Sequence, residues 1–289
     1  MTSPTHPQAQ KEAERGVQVR QVTVRGVPMR WTEAGEGFPV VLVHGIPTSP
    51  ALWRHVLPQV HGGRLLAFEM VGYGNSIPAG RDRDISVARQ ADYLLAWLDQ
   101  LGVERAVLAG HDLGGGVAQI AALRAPGRCA GLVLANSIGY DSWPIPSVRA
   151  LQTAGPLTAR MPLPAFKALL GSLLARGHDD PAMARESLAL HLEPYQRHGG
   201  AAALAWQVRW LRTADTLAVA DRLGELDVPA RVVWGAADPF QKLVYGQRLA
   251  WDLRTELWRI EGGRHFTPED HPERFAAAID EVLDAATAG

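Results

Sequence analysis

The sequence has little cysteine and no excess charge of either sign, and these shortages exclude several classes of protein. Cys129 is the one cysteine among 289 residues, which excludes an intrachain disulfide framework and favours a reducing compartment. Lys and Arg number 29 and Asp and Glu 30. Because a chain so balanced has no strong field to gather nucleic acid or an anionic membrane, we expect a small-molecule substrate as its partner.

Long apolar runs are also missing. The polar start MTSPTHPQAQKEAERG lacks the apolar core of a signal peptide, and no later stretch has the apolar length of a membrane span. We therefore expect a cytoplasmic protein, either a monomer or a homodimer, in which residues 1–16 form a disordered tail. The remaining chain is long enough, at 47% hydrophobic residues overall, to bury a large core.

Short apolar runs alternate with helix-like stretches through most of the chain. Residues 18–24 and 29–32 have the pattern of an entry hairpin, and residues 86–101 have the apolar spacing of three and four that is typical of a helix. The apolar runs, each a predicted buried strand, cover residues 39–43, 65–70, 106–109, 132–135, 232–234 and 257–260. Strands that alternate with helices predict a mainly parallel sheet, whose ligands bind beyond the carboxyl ends of the strands.

The alternation breaks between residues 139 and 215. This segment has helix-like apolar spacing over residues 165–174 and 201–211 and no obvious strand. We predict that residues 139–215 form a helical cap, inserted after the sixth strand as a lid over the site. Residues 17–138 and 216–289 then form one α/β core.

The turn Gly110-His111-Asp112-Leu113-Gly114 lies between a predicted strand and a predicted helix. In this context G-x-nucleophile-x-G is a nucleophile elbow, whose glycines make room for a strained central residue. Asp112 stands where a serine hydrolase has Ser. A phosphate-binding turn is the alternative, but G-x-G-x-x-G is absent and no Lys-Ser/Thr pair follows. Asp112 is therefore the predicted nucleophile.

Two further strand ends supply the partners that an elbow needs, in the chain order nucleophile, acid, histidine. Asp238 follows the strand over residues 232–234, and His265 follows the last strand. We predict that His265 activates water and that Asp238 orients its imidazole and stabilises its cation. The backbone N–H groups of Ile46 and Leu113 are the predicted oxyanion donors. His44 and His111 are interpreted as structural neighbours.

Together these motifs resemble the α/β-hydrolase superfamily, and within it the haloalkane dehalogenase and epoxide hydrolase branch, where the elbow nucleophile is Asp. The resemblance extends from about Val17 to Ala285 and includes the segment Gly72-Tyr73-Gly74-Asn75-Ser76. It implies an α/β-hydrolase fold, with a mostly parallel eight-stranded sheet flanked by helices and a cap after the sixth strand.

A carboxylate nucleophile suits displacement at a saturated carbon, because on an ordinary ester it would only form a reactive anhydride. Loss of a halide, or opening of an epoxide, leaves an alkyl ester on Asp112, which water activated by His265 then hydrolyses. This chemistry requires no metal and no organic cofactor. Two alternatives stay open: an ester or lactone hydrolase in which Asp112 acts as a base, and a hydrolase-like fold that only binds a ligand.

The leaving group needs hydrogen-bond donors, and the resemblance implies where they lie. Dehalogenases of this branch usually have Trp after the nucleophile and often Asn after the His-Gly pair, but here Leu113 and Ile46 offer no side-chain donor. Epoxide hydrolases use two cap tyrosines. A fluoroacetate-type dehalogenase needs an Arg near the elbow, which is absent. The candidate substrate-binding residues of the cap are Trp143, Tyr195, Trp206 and Gln207.

Overall fold

In the computed structural model, residues 16–288 are described. The predicted tail over residues 1–16 lies outside the described residues except for Gly16. The strands, in chain order, are β1 (Gln18–Val24), β2 (Val27–Ala34), β3 (Pro39–Val43), β4 (Arg64–Glu69), β5 (Ala106–His111), β6 (Cys129–Ala135), β7 (Ala230–Gly235) and β8 (Leu257–Ile260).

The strands form one eight-stranded sheet in the order β1-β2-β4-β3-β5-β6-β7-β8. Strand β2 pairs antiparallel with β1 and with β4, and the five remaining neighbouring pairs are parallel. The parallel strands end at one edge of the sheet, so the loops that follow β3, β5, β6, β7 and β8 meet there. This confirms the predicted α/β fold with a mostly parallel sheet.

Helices cover the sheet and form the cap. They are α1 (Val87–Gln100), α2 (Leu113–Arg124), α3 (Pro146–Thr153), α4 (Gly155–Ala159), α5 (Leu163–Gly177), α6 (Pro181–His198), α7 (Ala201–Arg209), α8 (Thr213–Ala220), α9 (Leu243–Asp252), α10 (Thr267–Asp270) and α11 (Pro272–Thr287).

The core has two apolar layers, one on each face of the sheet. In β3, Val41 and Val43 face one layer while Val40 and Leu42 face the other, and all four are fully buried. Side chains alternate across a strand, so a strand covered on both sides must be apolar at every position. This explains why the run over residues 39–43 contains no polar residue.

Helix α1 shows how local signals set an element. Its N-cap is Ser86, whose hydroxyl accepts the Arg89 N–H at 3.4 Å, and it buries Ala91, Leu94 and Leu98 along one face. The cap satisfies one of the backbone donors that a helix start leaves open. The apolar stripe supplies the packing that fixes the helix on the sheet.

Between β6 and β7 the described residues form helices α3 to α8 and no strand. The longest of them, α6, begins at the N-cap Asp180, which accepts the Ala182 N–H at 2.8 Å, and ends at Gly199 in the left-handed conformation. Helix α8 runs across the predicted boundary after residue 215, and Asp215 accepts the Ala88 N–H of the core helix α1 at 3.2 Å. The end of the predicted cap is thus tied directly to the core.

Candidate active site

Asp112 lies at the junction between β5 and α2, in a backbone conformation with φ 51° and ψ −119°. Such a conformation costs a non-glycine residue about 1–3 kcal/mol, so its surroundings must hold it in place. The approach of neighbouring segments is so close that a side chain at Gly114 would collide with the carbonyl of Val43, and one at Gly45 with the Asp112 carboxylate. Gly114 of the elbow and Gly45 of the loop after β3 are therefore steric requirements.

The Asp112 side chain is 6% exposed and lies against two backbone donors. Its Oδ2 accepts the Ile46 N–H at 3.0 Å, and the Leu113 N–H also hydrogen-bonds to the carboxylate. Burial raises the pKa of Asp112, against the opposing effects of His265 and the two N–H groups. The structure thus brings both predicted oxyanion donors to the predicted nucleophile.

His265 lies between the two aspartates. Its Nδ1 donates to Oδ2 of Asp238 at 2.8 Å, and its Nε2 is 4.0 Å from Oδ1 of Asp112. Burial opposes the charged form of the imidazole, but the charge and hydrogen bond of Asp238, together with the charge of Asp112, raise the pKa of His265. The ring therefore has an orienting partner on one side and an unbonded nitrogen that faces Asp112 on the other.

Asp238 is itself fixed by backbone and side-chain donors. Its Oδ1 accepts the N–H groups of Phe240 at 2.7 Å and Gln241 at 3.0 Å, while the Asn136 amide donates to Oδ2 at 2.6 Å. With four hydrogen bonds the carboxylate has a fixed orientation. It can hold His265 in one position and one tautomer.

Asn136 is a residue of the site that the sequence interpretation missed. It follows β6, has φ 41°, and its amide oxygen accepts from the Gly235 N–H at 3.2 Å and the Thr267 hydroxyl at 3.0 Å. Its amide nitrogen bonds Asp238 and also the Arg264 carbonyl at 3.3 Å. Asn136 thus ties the loops after β6, β7 and β8 together. Its only sequence signal was a polar residue at a strand end.

His44 and His111, interpreted above as structural neighbours, are both fully buried. Burial lowers the pKa of His44 to about 3 and that of His111 well below its ordinary value. His44 accepts the Met70 N–H at 3.1 Å, and His111 donates to the carbonyl of His265 at 2.9 Å. His111 therefore supports the backbone of the predicted base.

Comparison with known proteins places this geometry in a family. The family described as alpha/beta hydrolase fold matches residues 39–272. The chain belongs to the α/β-hydrolase fold family. A solved structure of an alpha/beta hydrolase fold protein from Burkholderia ambifaria superposes with a TM-score of 0.84 at 28% identity, covering 91% of this chain and 97% of that one.

Curated relatives of this α/β hydrolase carry several names. A haloalkane dehalogenase of Agrobacterium fabrum is 28% identical, over 93% of this chain and 92% of its own. A 2-hydroxymuconate semialdehyde hydrolase of Pseudomonas sp. strain CF600 is 30% identical, over 93% and 95%. Epoxide hydrolase A of Mycobacterium tuberculosis is 27% identical, over 91% and 96%. The names confirm the resemblance to the dehalogenase and epoxide hydrolase branch and add a third activity.

The cavity of this α/β hydrolase at Asp112 is small and mainly apolar. It measures about 50 Å³ and is bounded by both core and cap residues. At about 10–15 Å³ of such volume for one water, it holds only a few water-sized groups. Its lining consists of Ile46, Asp112, Leu113, Ile138, Trp143, Pro144, Ile145, Val148, Leu173, Leu211, Phe240, Gln241, His265 and Phe266.

Of the four cap candidates, Trp143 lines this cavity, but its indole N–H donates to the Thr216 hydroxyl at 2.7 Å. The ring of Trp143 therefore lines the cavity, but its N–H group is already bonded to Thr216.

Tyr195, Trp206 and Gln207 lie outside the cavity lining, contrary to their selection as substrate-binding candidates. The Tyr195 hydroxyl donates to the Gln207 amide oxygen at 2.6 Å, and the amide nitrogen donates to the Gly72 carbonyl at 2.8 Å. The Trp206 N–H donates to the Gly80 carbonyl at 2.9 Å. These polar groups satisfy one another and the core loop after β4, so they hold the cap in place.

Gln241 is a second site residue that the sequence interpretation missed. Its side chain is 3% exposed and lines the cavity, and within the described chain its amide oxygen has no hydrogen-bond partner. A buried amide without a partner costs about 1–3 kcal/mol, which a bound ligand can recover. Among the lining residues it adds a polar side chain to those of Asp112 and His265.

A larger cavity, of about 320 Å³, lies away from the triad at the β1–β2 edge of the sheet. Its wall includes Arg30 and Glu69, which lie 3.6 Å apart as an ion pair, and the Ser76 hydroxyl donates to Glu69 at 2.7 Å. Size alone does not identify the candidate active site, because neither Asp112 nor His265 lines this cavity.

Within residues 16–288 no group of His, Cys, Asp and Glu side chains has an arrangement that could hold a metal ion. None of the helices in that range has the length and apolar character needed to cross a membrane.

Proposed function

We propose that this α/β hydrolase cleaves a small, largely apolar substrate through a covalent ester on Asp112, as a haloalkane dehalogenase-like or epoxide hydrolase-like enzyme. The orientation of the Asp112 carboxylate carries the proposal. Oδ2 accepts the Ile46 N–H at 3.0 Å, while Oδ1 faces Nε2 of His265 at 4.0 Å. Oδ2 is held by a backbone donor, and Oδ1 is the oxygen that we assign to the attack.

The first step is displacement at a saturated carbon. Oδ1 of Asp112 donates an electron pair to that carbon, and the bond to a halogen or to an epoxide oxygen breaks. A halide departs with the bonding pair, whereas the oxygen of an opened epoxide keeps the pair, stays on the alkyl group as an alkoxide and takes a proton from water, releasing hydroxide. No base is needed, because the ionised carboxylate is already a nucleophile. The product of this step is an alkyl ester joined through Oδ1.

The second step hydrolyses the ester. Nε2 of His265 takes a proton from water, and the water oxygen bonds to the carboxyl carbon of Asp112. The negative charge develops on Oδ2, beside the N–H groups of Ile46 and Leu113, where each such donor contributes about 10²–10³ in rate. The bond to Oδ1 then breaks, and the alcohol leaves with the proton from His265. Asp238 stabilises the imidazolium in between.

An ester or lactone hydrolase with Asp112 as a base on water is the second candidate, and the semialdehyde hydrolase relative is the observation in its favour. In that reaction the carbonyl oxygen of the substrate must reach the Ile46 N–H. Oδ2 of Asp112 occupies this donor at 3.0 Å. The occupied donor favours the covalent alkyl ester. A role in ligand binding alone gives no reason for a strained Asp beside a His–Asp pair.

Gln241 is our proposed donor for the leaving group. Leu113 and Ile46 supply no side-chain donor, and the indole N–H of Trp143 is bonded to Thr216. The Gln241 amide lies in the same cavity, and its oxygen has no hydrogen-bond partner among the described residues. An amide N–H can donate to a halide or to an epoxide oxygen, and we assign it this role.

A substrate screen tests the proposal. Purified enzyme is assayed for halide release from short bromoalkanes, diol formation from styrene oxide and p-nitrophenol release from p-nitrophenyl acetate, each beside the Asp112→Asn variant. We expect halide or diol formation that depends on Asp112 and exceeds ester turnover. Ester turnover without reaction of either alkyl substrate would contradict the proposal and support the second candidate.

A further inference from the structure

A short cap segment, residues 177–179, holds the backbone of the loop that carries His265. The Gly177 carbonyl accepts the N–H groups of both His265 at 2.9 Å and Phe266 at 3.0 Å, and the Asp179 carboxylate accepts the Arg264 N–H at 2.7 Å. Three consecutive loop residues thus bond to the end of cap helix α5. The position of the imidazole depends on where this segment lies.

The side chain of His178 extends the contact. Its ring stacks on the Phe266 ring, with centroids 4.5 Å apart and planes 20° apart, and Phe266 in turn lies against the ring of His265 at 4.9 Å. A side chain at Gly177 would collide with the Phe266 ring. The cap segment and the catalytic loop therefore pack without a gap.

The partners of His178 fix its protonation. Nδ1 lies 2.9 Å from the Leu174 carbonyl oxygen, and Nε2 lies 2.8 Å from Oε2 of Glu269. Carbonyl and carboxylate oxygens only accept hydrogen bonds, so both ring nitrogens must donate and the ring must be an imidazolium. His178 and Glu269 are each 1% exposed, so their charges face each other out of water.

Glu269 has donors on both oxygens. The Arg54 guanidinium donates to Oε1, and the Ser187 hydroxyl donates to Oε2 at 2.8 Å. His191 lies 3.6 Å from Oε1 and bonds instead to the Ser49 hydroxyl at 3.3 Å. Arg54 also pairs with Glu186 at 2.8 Å, which balances its charge. We call Arg54, His178, Ser187, His191 and Glu269 the cap–core cluster, because it joins both cap helices α5 and α6 to the core.

Other ionisable groups face His178 as well. Asp270 acts on it electrostatically, and His111 interacts with it from the elbow side. Burial opposes the imidazolium, but Glu269 and Asp270 overcome that effect and raise the pKa of His178. Burial likewise opposes the carboxylate, yet the hydrogen bond from His178, the nearby His191 and the charge of Arg54 hold the pKa of Glu269 well below its usual range.

We propose that His178, kept as an imidazolium by Glu269, is a positioning residue that sets the distance from His265 to Asp112. The inference rests on the proposed function in one respect, the role of His265 as base in the hydrolytic step. Loss of the His178 proton turns a lone pair toward a carbonyl or carboxylate oxygen and loosens the segment over residues 177–179. Hydrolysis of the ester then slows, while attack by Asp112 does not.

The test compares His178→Gln and Glu269→Gln with the matched control His198→Gln, which changes the cap histidine at the end of α6 and leaves the cap–core cluster untouched. Single-turnover mass spectrometry measures ester formation and ester hydrolysis separately. We expect both test variants to slow hydrolysis about tenfold and to change alkylation less than twofold, with the control unchanged. In the native enzyme hydrolysis should fall as the pH rises through the pKa of His178, and in Glu269→Gln this fall should move to lower pH. Equal slowing of both half-reactions would overturn the proposal.

A second readout needs no turnover and no variant. Nuclear magnetic resonance of ¹⁵N-histidine-labelled native enzyme should show both nitrogens of His178 protonated at pH 7.5. The Nδ1 proton signal of His265, bonded to Asp238, should shift as His178 titrates. A neutral His178 would overturn the inference, and so would a His265 signal that does not shift as His178 titrates. Both readouts hold even if a variant fails to fold. Absence of any ester in the native enzyme instead contradicts the proposed function alone.

Discussion

Two buried charged clusters lie at opposite ends of the short segment from His265 to Glu269. They differ in which of their polar atoms have hydrogen-bond partners. In the cap–core cluster both oxygens of Glu269 accept hydrogen bonds, from Arg54 on one side and from His178 and Ser187 on the other. At the triad, Oδ1 of Asp112 and Nε2 of His265 remain 4.0 Å apart.

The difference separates atoms that fix geometry from the atoms that react in the proposed mechanism. Charged groups that are fully bonded hold a loop in one position, and breaking such a pair is costly because it leaves an uncompensated buried charge. Reacting atoms must instead stay apart and unbonded to each other, so that a substrate carbon or a water can enter between them. In this α/β hydrolase three residues, Phe266 to Pro268, separate the two arrangements along the chain.

Among the variants that test this comparison, His265→Gln is expected to have the largest effect on turnover. The ester should form but persist, because glutamine cannot take a proton from water, and turnover should fall about 10³–10⁴-fold. Intact-mass spectrometry should show an adduct of the alkyl group on the protein. The control is His61→Gln, since His61 is exposed and pairs with Asp280 at 2.8 Å away from the cavity. If the His265→Gln variant turns over at the native rate, this histidine is not the base.

A smaller effect is expected for Gln241→Leu. Leucine keeps most of the volume and removes the amide, so the cavity loses its donor for the leaving group. We expect alkylation to slow about tenfold, the worth of roughly one hydrogen bond, while hydrolysis of the ester changes little. Pre-steady-state release of halide or formation of the ester measures the first step. Gln241→Asn, which keeps an amide, serves as the comparison, and native alkylation by Gln241→Leu would exclude the assigned role.

The two half-reactions should also separate with pH. His265 must be neutral to act as a base, and its pKa is raised from 6.5 because Asp238 and Asp112 outweigh the effect of burial. Hydrolysis should therefore fall already as the pH drops toward 6.5. Asp112 attacks as an anion, and although burial raises its pKa, the ordinary value is 3.8, so alkylation should persist to lower pH. Quench-flow measurements should find more ester at mildly acidic pH, and parallel profiles would contradict this assignment.

The meeting of the three residues of the proposed triad could be predicted because their signals are local. Asp112 is marked by glycines that its strained turn requires, and Asp238 and His265 each follow an apolar strand run. Parallel strands end at one edge of a sheet, so three residues far apart in sequence meet there without any knowledge of tertiary detail. Asn136 also follows a strand, but an asparagine in that place has the same pattern as an ordinary turn residue.

The cap could be predicted only as helical, because its details depend on tertiary packing. Tyr195 and Gln207 have suitable chemistry for a substrate site, yet each bonds the other and they lie away from the cavity. Which face a helix turns toward a cavity is decided by contacts with other elements, which a single sequence pattern does not encode. Helix α6 gave no clear signal, since Pro194 normally breaks a helix, and buried contacts of Leu192 and Tyr195 help to hold it.

The central claim is that Asp112 forms a covalent ester, and a single turnover in ¹⁸O-labelled water tests it most directly. With enzyme in excess over substrate, water attacks the carboxyl carbon and the alcohol leaves with the original Oδ1. The account predicts that one ¹⁸O atom appears in the peptide containing Asp112 and that the first alcohol formed carries none. Label in the first alcohol and none in the peptide would contradict it.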